Sequence, residues 1–399
     1  MSRDAAAKTL WDKHAIMWRQ PSQIIGAWWD APEPDPRTFE YRVRGPWWDL
    51  LDEAGITLLA SREYEHFVLA MNGHGGRGHL SYMPLPHPSG LAVDRDNNRL
   101  FIPSTRNPNQ VIEMQAISCV SSRRGGGASE AVRSSLVPKR TWFFPGSLYL
   151  HDLAFIGGKL HGNAVGQNAV VCFSDDGTYK RVWWPNSLDA LGAERFDRNY
   201  LQLNSIAAGD ELKSSFFSAS VDAPSGRRPG HRNFLVDKRG VIFGGKTRQP
   251  ICTGLTRPHS ARLHQGQIWV DNSGYGEVGI VREKKLEVVA RLKGWTRGIC
   301  CRPGIAFVGT SRVIPRFQHY APGLNMEESV CGIHAISTNN GSVLASIHWP
   351  QGNQIFAIEW LPTSETFGFP FRRGWTRRRA HYEQLFYRYD AIQLQDPNP

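Results

Sequence analysis

One stretch of the chain sets a pattern that the rest repeats, and it runs Arg257-Pro258-His259-Ser260-Ala261-Arg262-Leu263-His264-Gln265-Gly266-Gln267-Ile268-Trp269-Val270-Asp271-Asn272-Ser273-Gly274. The pattern predicts a strand opened by a histidine, a tight Gln-Gly turn and a second strand that ends in Asn-Ser-Gly. Weaker copies recur along the chain, and a polar residue, often histidine, stands at the start of each copy. The repeat therefore predicts an all-β protein built from similar units.

Five further copies of this unit are recognised, and they begin near residues 87, 151, 203, 296 and 354. The last copy has no strands after it, and the strands predicted at residues 56–85 have no unit of their own. Joining the two ends of the chain would complete one ring of four-stranded units. This arrangement is typical of a β-propeller, in which blades of about four strands surround a channel. We predict six blades, or seven if residues 139–144 or the N-terminal segment form more sheet.

The composition divides the chain into three parts. Residues 1–55 are rich in tryptophan and proline, and we expect this N-terminal extension to pack on the propeller of residues 56–365. Residues 366–399 form a tail that interleaves arginine with aromatic residues. Such tails bind nucleic acid through phosphate contacts and stacking. A solvated tail that docks on an acidic face is the favoured interpretation, so nucleic acid is not the expected partner.

Composition and charge limit the class of protein. Of 399 residues, 41% are hydrophobic and 21% are charged, which excludes wholesale disorder. The formal net charge of +11 permits an acidic partner but carries no information about the fold. The six cysteines form no Cys-x-x-Cys pair, so scattered free thiols in a reducing compartment are predicted. With no apolar signal region and no membrane-length apolar stretch, we expect a soluble, cytoplasmic protein without a membrane partner.

Six short segments stand out within the predicted blades, and these are Leu150-His151-Asp152-Leu153-Ala154-Phe155, Leu203-Asn204-Ser205-Ile206-Ala207, Pro258-His259-Ser260-Ala261-Arg262, Trp269-Val270-Asp271-Asn272-Ser273-Gly274, Arg297-Gly298-Ile299 and Ala306-Phe307-Val308-Gly309. Together they resemble an uncharacterised, largely bacterial propeller family, known as the conserved hypothetical 3032 family or domain of unknown function 4915. The resemblance spans roughly residues 56–362, implies a propeller fold and brings no established activity. The chain departs from the family pattern at Ala357, where a polar residue is usual. The inner strands also look like those of gluconolactonase-type propellers, in which metals sit in the channel.

The start of each predicted inner strand supplies the candidate site, and these residues are His87, His151, Asn204, His259, Arg297 and Ala357. Equivalent positions of a propeller converge at one end of the channel. Three imidazoles and an amide suit a divalent Zn, Cu or Fe ion, and three histidines with an open position indicate catalysis. We expect Asp152, or a carboxylate such as Glu359, to orient a metal ligand or to act as a general base, and Arg297 to hold an anionic substrate group.

This pattern is compatible with two functions. The first is a metal-dependent enzyme, of lyase, hydrolase or oxidase type, that acts on a small or peptidic substrate at the channel. The metal ligands would be His87, His151, His259 and Asn204. The alternative is a non-catalytic scaffold that binds a protein or another acidic partner. In that interpretation the polar residues of the inner strands only hydrogen-bond water or a neighbouring strand, because repeated blade geometry favours similar residues.

Overall fold

A computed structural model of the chain describes residues 34–106, 109–117, 120–122, 134–231, 233–376, 379–383 and 385–387. The first 33 residues of the predicted Trp-rich extension lie outside this part, as do the side chains from residue 371 onward in the predicted basic tail. The strands are β1 Arg42–Arg44, β2 Ile56–Arg62, β3 Phe67–His74, β4 Arg77–Pro84, β5 Ala92–Asp94, β6 Arg99–Pro103, β7 Asn109–Ile117, β8 Val120–Ser122, β9 Ser135–Phe144, β10 Leu150–Ile156, β11 Lys159–Ala164, β12 Ala169–Phe173, β13 Tyr179–Trp183, β14 Leu203–Ala207, β15 Phe216–Ala219, β16 Gly240–Gly244, β17 Pro250–Leu255, β18 Pro258–His264, β19 Gln267–Asn272, β20 Glu277–Arg282, β21 Lys285–Arg291, β22 Trp295–Arg302, β23 Ile305–Ser311, β24 Gly332–Ser337, β25 Val343–His348, β26 Ala357–Pro362, β27 Phe371–Thr376, β28 Arg379–Glu383 and β29 Leu385–Tyr387.

These strands form six antiparallel blades, which confirms the predicted propeller and its blade count. Blade 1 is β5-β6-β7-β9, and blades 2, 3 and 4 are β10–β13, β14–β17 and β18–β21. Blade 5 is β22–β25, with β1 added at its outer edge. Blade 6 takes its inner strand, β26, from the end of the propeller and β2–β4 from its start, and β27 and β28 extend it outward. The strands β29 and β8 pair separately.

The closure of the ring joins distant parts of the chain. Strand β26 pairs with β2 over six residues, from Ile56 opposite Pro362 to Ser61 opposite Ala357. The β-branched and aliphatic residues of β2 favour a strand, and all seven are buried. Each blade packs between two others, so both faces of its strands are covered. The neighbouring residues Leu58 and Leu59 accordingly enter two different hydrophobic cores.

The described part of the N-terminal extension packs on blades 5 and 6. Helix α1, Trp47–Glu53, follows β1 and contacts β3. Its Trp47 is fully buried and meets Phe307 of blade 5 edge-on, with ring centroids 6.0 Å apart. Short 3-10 segments occur at Pro36–Phe39, Val165–Gln167, Asn186–Phe196, Leu212–Ser214, Ser273–Tyr275 and Pro315–Tyr320. None of the helices in the described ranges has the length and apolar character needed to cross a membrane.

Candidate functional site

A left-handed backbone residue precedes the inner strand in four blades and shows which positions are equivalent. These residues, with φ between 46° and 54°, are His87, Tyr149, Gln202 and Arg257. Non-glycine residues with positive φ are uncommon, so the shared conformation identifies one structural position. His87 therefore corresponds to Tyr149 and Arg257, and the residue of blade 1 that corresponds to His151 and His259 is Ser89. The sequence prediction, which placed His87 at this position of blade 1, was therefore wrong by two residues.

One small gap at the channel brings together most of the predicted site residues. It is lined by His151, Asp152, Asn204, Ser205, His259, Ser260, Arg262, Arg297, Phe356 and Ala357. Phe356, rather than Ala357, is the residue of blade 6 whose ring meets His151, at 5.5 Å between centroids. The gap encloses about 10 Å³, which is room for about one water molecule. The four polar residues predicted for blades 2 to 5 thus meet, and His87 is not among them.

The predicted three-histidine metal set does not come together. The ring of His87 lies edge-on to His66, with centroids 4.4 Å apart, and its backbone N–H donates to His66 Nδ1 at 3.3 Å. In the described part of the chain, no three His, Cys, Asp or Glu side chains are grouped so that they could hold a metal ion. His259 also uses one ring nitrogen within the fold, since Nδ1 lies 2.8 Å from the Arg257 carbonyl oxygen and 3.1 Å from Ser273 Oγ. Metal binding stays a prediction that this geometry does not support.

Two buried arginines are the unusual feature of the channel. Arg257 is 7% exposed and Arg297 is 5% exposed. The guanidinium of Arg257 lies 4.4 Å from the ring centroid of Tyr320, and that of Arg297 lies 3.6 Å from the ring centroid of Phe356. Among the described residues, Nε and Nη1 of Arg257 and Nε of Arg297 are buried without a hydrogen-bond acceptor. Buried charged donors are normally paired, because their desolvation costs several kcal/mol.

The charges in the channel act on one another. Burial, opposed by Tyr320 and aided by the positive charge of Arg297, lowers the pKa of Arg257 to about 10. Burial, followed by the charges of Arg297 and Arg257, lowers the pKa of His151 and of His259 well below the usual value. Both imidazoles are therefore neutral near neutral pH. The channel carries positive charge on its arginines and none on its histidines.

The carboxylate of Glu63 is the strongest source of negative charge acting on Arg297: burial lowers the pKa of Arg297, and Glu63 raises it. Its oxygens accept hydrogen bonds from Thr105 Oγ1 and, at 3.5 Å, from Gln354 Nε2. Neither bond involves a guanidinium. Glu63 therefore balances part of the charge at a distance and leaves the buried donors of Arg257 and Arg297 without acceptors.

Asp152 has a structural role that the sequence did not reveal. Its carboxylate accepts two hydrogen bonds from Arg262 of blade 4, at 2.7 and 3.1 Å, and one from the Ile206 N–H of blade 3 at 3.0 Å. Ser205 and Ser260 at the equivalent positions also accept an N–H from the next blade, each at 2.7 Å. Asp152 thus belongs to a series of side chains that join inner strands, and both its oxygens are occupied. The predicted role of general base finds no support in these contacts.

Arg257, Tyr149 and Phe356 are the channel residues that sequence reasoning missed. The sequence does contain a pattern that locates them, because each inner strand has an apolar residue two positions after its channel residue. Leu153, Ile206 and Ile299 are the examples in blades 2, 3 and 5. Aligning the blades on these apolar residues, rather than on histidine, gives the register that the backbone has.

Buried neutral histidines make stability depend on pH. We expect the free energy of unfolding to fall between about pH 7 and pH 5.5 by about 1 kcal/mol for each of His151, His259 and His334. All three have folded pKa values below the usual value, and burial, with a smaller effect of His348 and Arg44, lowers that of His334 to about 3. The unfolded chain therefore binds more protons below about pH 6.5, and stability is lost as the pH falls.

Urea unfolding at the two pH values measures this change. The His334→Asn variant should lose about 1 kcal/mol of the pH dependence, whereas substitution of the exposed His231 by Gln should leave it unaltered. A wild-type stability that is the same at both pH values would contradict the expectation.

Solved structures share the fold of this chain. A chain in the crystal structure of a nidogen–laminin complex matches with a TM-score of 0.51 at 8% identity, over 78% of this chain and 99% of that one. A protein of unknown function from Bacteroides caccae matches with a TM-score of 0.47 at 9% identity, over 77% of this chain and 98% of that one. A gluconolactonase from Xanthomonas campestris matches with a TM-score of 0.43 at 11% identity, over 74% of this chain and 86% of that one. At these identities the similarity concerns the fold alone. A search among curated proteins gives no match.

Fold and channel together define the class of this protein as a six-bladed β-propeller with two buried arginines at its channel, several of whose N–H groups have no acceptor among the described residues. The sequence model of the family called domain of unknown function 4915 matches residues 45–367. The chain belongs to this family, as the resemblance of its inner strands predicted. The matched range contains the strands of all six blades and leaves out β1 and β27–β29.

Proposed function

We propose that the propeller binds a small organic anion at the channel, with Arg257 and Arg297 as its clamp. One observation carries the proposal, namely that both guanidiniums are buried while several of their N–H groups have no acceptor in the described chain. A carboxylate or phosphate oxygen supplies the acceptors that the fold lacks, in the charge-assisted bonds that arginine favours. The stacked rings of Tyr320 and Phe356 hold the two guanidiniums in place for such a ligand.

The size of the gap limits how the anion is held. With about 10 Å³ between the inner strands, only a single small group of the ligand reaches the level of His151 and Arg297. The rest of the ligand lies further out, where the exposed Arg106 stands over the ring of Tyr149 at 5.6 Å. A third arginine there adds to the positive field that draws an anion to the channel.

The metal-dependent enzyme predicted from the sequence fits these residues less well. His87 lies apart from His151 and His259, and the charges of Arg257 and Arg297 beside them oppose a divalent cation. Metal dependence thus stays a prediction, to be checked by metal analysis of untagged protein. One bound ion per chain that is lost in His151→Ala and His259→Ala would restore it.

A second candidate function is proton transfer on the bound anion. The observation that favours it is the neutral state of His151, whose imidazole lines the same gap as Arg297. A neutral imidazole beside a clamped anion is suited to act as a general base. NMR of the bound compound separates the two functions: conversion by wild type that is lost in His151→Gln while binding persists supports an enzyme. An unaltered compound supports a binding protein.

Thermal unfolding with a panel of anions tests the clamp. The panel comprises acetate, succinate, citrate, benzoate, phosphate and sulfate, each compared with sodium chloride at equal ionic strength. A ligand present at roughly 100 times its Kd stabilises the folded chain by about 2.7 kcal/mol and should raise the melting temperature by a few degrees. Isothermal titration then gives its affinity. The proposal fails if no member of the panel raises the melting temperature above that in sodium chloride.

A further inference from the structure

A second cleft lies between blades 1 and 2, away from the channel arginines. It has a volume of about 770 Å³, which is in the usual range for small-molecule sites. Its walls carry five aromatic side chains, contributed by both blades, and these are Phe101, Trp142, Phe144, Phe155 and Phe173. The cleft therefore offers a concave surface with aromatic and polar walls that the channel site does not use.

The aromatic rings of the two blades meet across the base of this cleft. Phe101 lies edge-on to Phe155 with centroids 5.5 Å apart, and Phe144 lies 4.9 Å from Phe173. At the rim, the indole N–H of Trp142 in blade 1 reaches to within 3.5 Å of the Asp175 carbonyl oxygen in blade 2. These contacts hold the two walls at a set separation.

The rim of the cleft is positively charged. Four cations line it, Arg99, Arg140, Lys159 and Lys180, against one carboxylate, Asp175. The two arginines are neutralised within blade 1, because Arg99 pairs with Asp94 at 2.6 Å and Arg140 with Glu113 at 2.8 Å.

The two lysines differ from these arginines, since neither Lys159 nor Lys180 forms an ion pair with a residue in the described ranges. Both stand beside the half-buried Cys172, whose pKa burial raises and both ammonium charges lower. The lysines thus leave an excess of positive charge at a cleft with aromatic walls.

We infer that this cleft binds a planar aromatic anion, a flat ring system that carries a carboxylate or a phosphate. The ring system packs against the aromatic walls, and its charged group lies toward Lys159 and Lys180. Aromatic surfaces favour flat apolar ligands, and the two ammonium groups select those with negative charge. Aromatic carboxylates and nucleotides share this chemistry, and the experiment separates the two.

Isothermal titration of the full chain at low ionic strength uses 2-naphthoate and adenosine monophosphate as probes. Their uncharged counterparts, 2-naphthalenemethanol and adenosine, are titrated alongside. We expect at least one of the anions to bind with a Kd below about 1 mM, and its counterpart to bind at least about tenfold more weakly. The anion that binds shows whether an aromatic carboxylate or a nucleotide is the better occupant.

Matched variants locate the site. Trp142→Ala and the pair Lys159→Glu with Lys180→Glu should each weaken binding by about tenfold or more. Phe143→Ala is the control for Trp142, since consecutive strand residues point to opposite faces and Phe143 is 46% exposed outside the cleft. It should change the affinity by less than about twofold. Bound ligand should also slow the labelling of Cys172 by N-ethylmaleimide, measured at the peptide level.

Three results would overturn the inference. These are absence of binding by both anions, wild-type affinity in Trp142→Ala, and equal affinity for the uncharged counterparts. The channel variant with Arg257→Met and Arg297→Met must retain binding. Loss of binding there would place the ligand in the channel, so the cleft and the proposed function are tested separately.

Discussion

A variant with both Arg257→Met and Arg297→Met should lose the stabilisation by the non-aromatic anions of the panel and yet be as stable as the wild type without them. In the described chain, several N–H groups of these two guanidiniums have no acceptor, so their removal breaks no ion pair with a described residue. Methionine fills much of the same space and carries no charge to desolvate. The lost stacking on Tyr320 and Phe356 costs about 0.5–2 kcal/mol per pair, which the relief of desolvation offsets.

Thermal and urea unfolding with and without the best non-aromatic anion of the panel measure both effects. We expect the double variant to lie within about 1 kcal/mol of the wild type without anion, and the gain of about 2.7 kcal/mol at saturating anion to vanish. Arg282→Met is the control, because Arg282 is exposed and pairs with Glu287 on the surface. If the double variant is destabilised by several kcal/mol but still responds to the anion, the arginines are structural and the clamp is elsewhere.

Breaking the pair between Asp152 and Arg262 should have the largest effect on stability. The Arg262→Met variant is expected to lose about 3–5 kcal/mol, because the buried Asp152 carboxylate would lose two of its four hydrogen bonds and its counter-charge. A loss of this size is a large share of the total stability of an ordinary domain. Asp152→Asn should also destabilise, since it leaves the half-buried Arg262 guanidinium without its counter-charge.

The combined variant, Asp152→Asn with Arg262→Met, supplies the decisive comparison. It removes both charges and retains an oxygen that accepts the Ile206 N–H, so it should recover most of the stability that either single change loses. Urea unfolding of all four proteins gives the coupling energy between the two residues. A cost below about 1 kcal/mol for Arg262→Met, or a combined loss equal to the sum of the two, would show that the pair does not join the blades as described.

Much of the fold was predictable because its signals are local. Alternating runs of β-branched and aromatic residues, separated by short Gly and Asn turns, marked the strands of each blade. The incomplete last copy and the unassigned strands at residues 56–85 predicted that the ends of the chain join, and the pairing of β26 with β2 confirms it. The strands at residues 139–144 and 42–44 were the open question, and they proved to be outer strands of blades 1 and 5.

The candidate site was predicted less well than the fold, for two physical reasons. His87 was predicted to be equivalent to His151 and His259 because all three are histidines. The equivalence of positions is set by backbone conformation, however, and His87 shares its conformation with Tyr149 and Arg257. Asp152 was predicted to be catalytic because a carboxylate near histidines suggests acid–base chemistry. Its partner Arg262 lies 110 residues further along the chain, so the ion pair is visible only in three dimensions.

The sequence by itself determined the blade, since strand periodicity and turn chemistry act between residues that are close along the chain. It also favoured six blades over seven and indicated the family to which the chain belongs. Only the tertiary structure decided which polar side chains meet in the channel and which of them lack a partner. Burial, counter-charge and pKa depend on residues that the fold brings together from far apart. The unpaired state of Arg257 and Arg297, on which the proposed function rests, is a property of that arrangement.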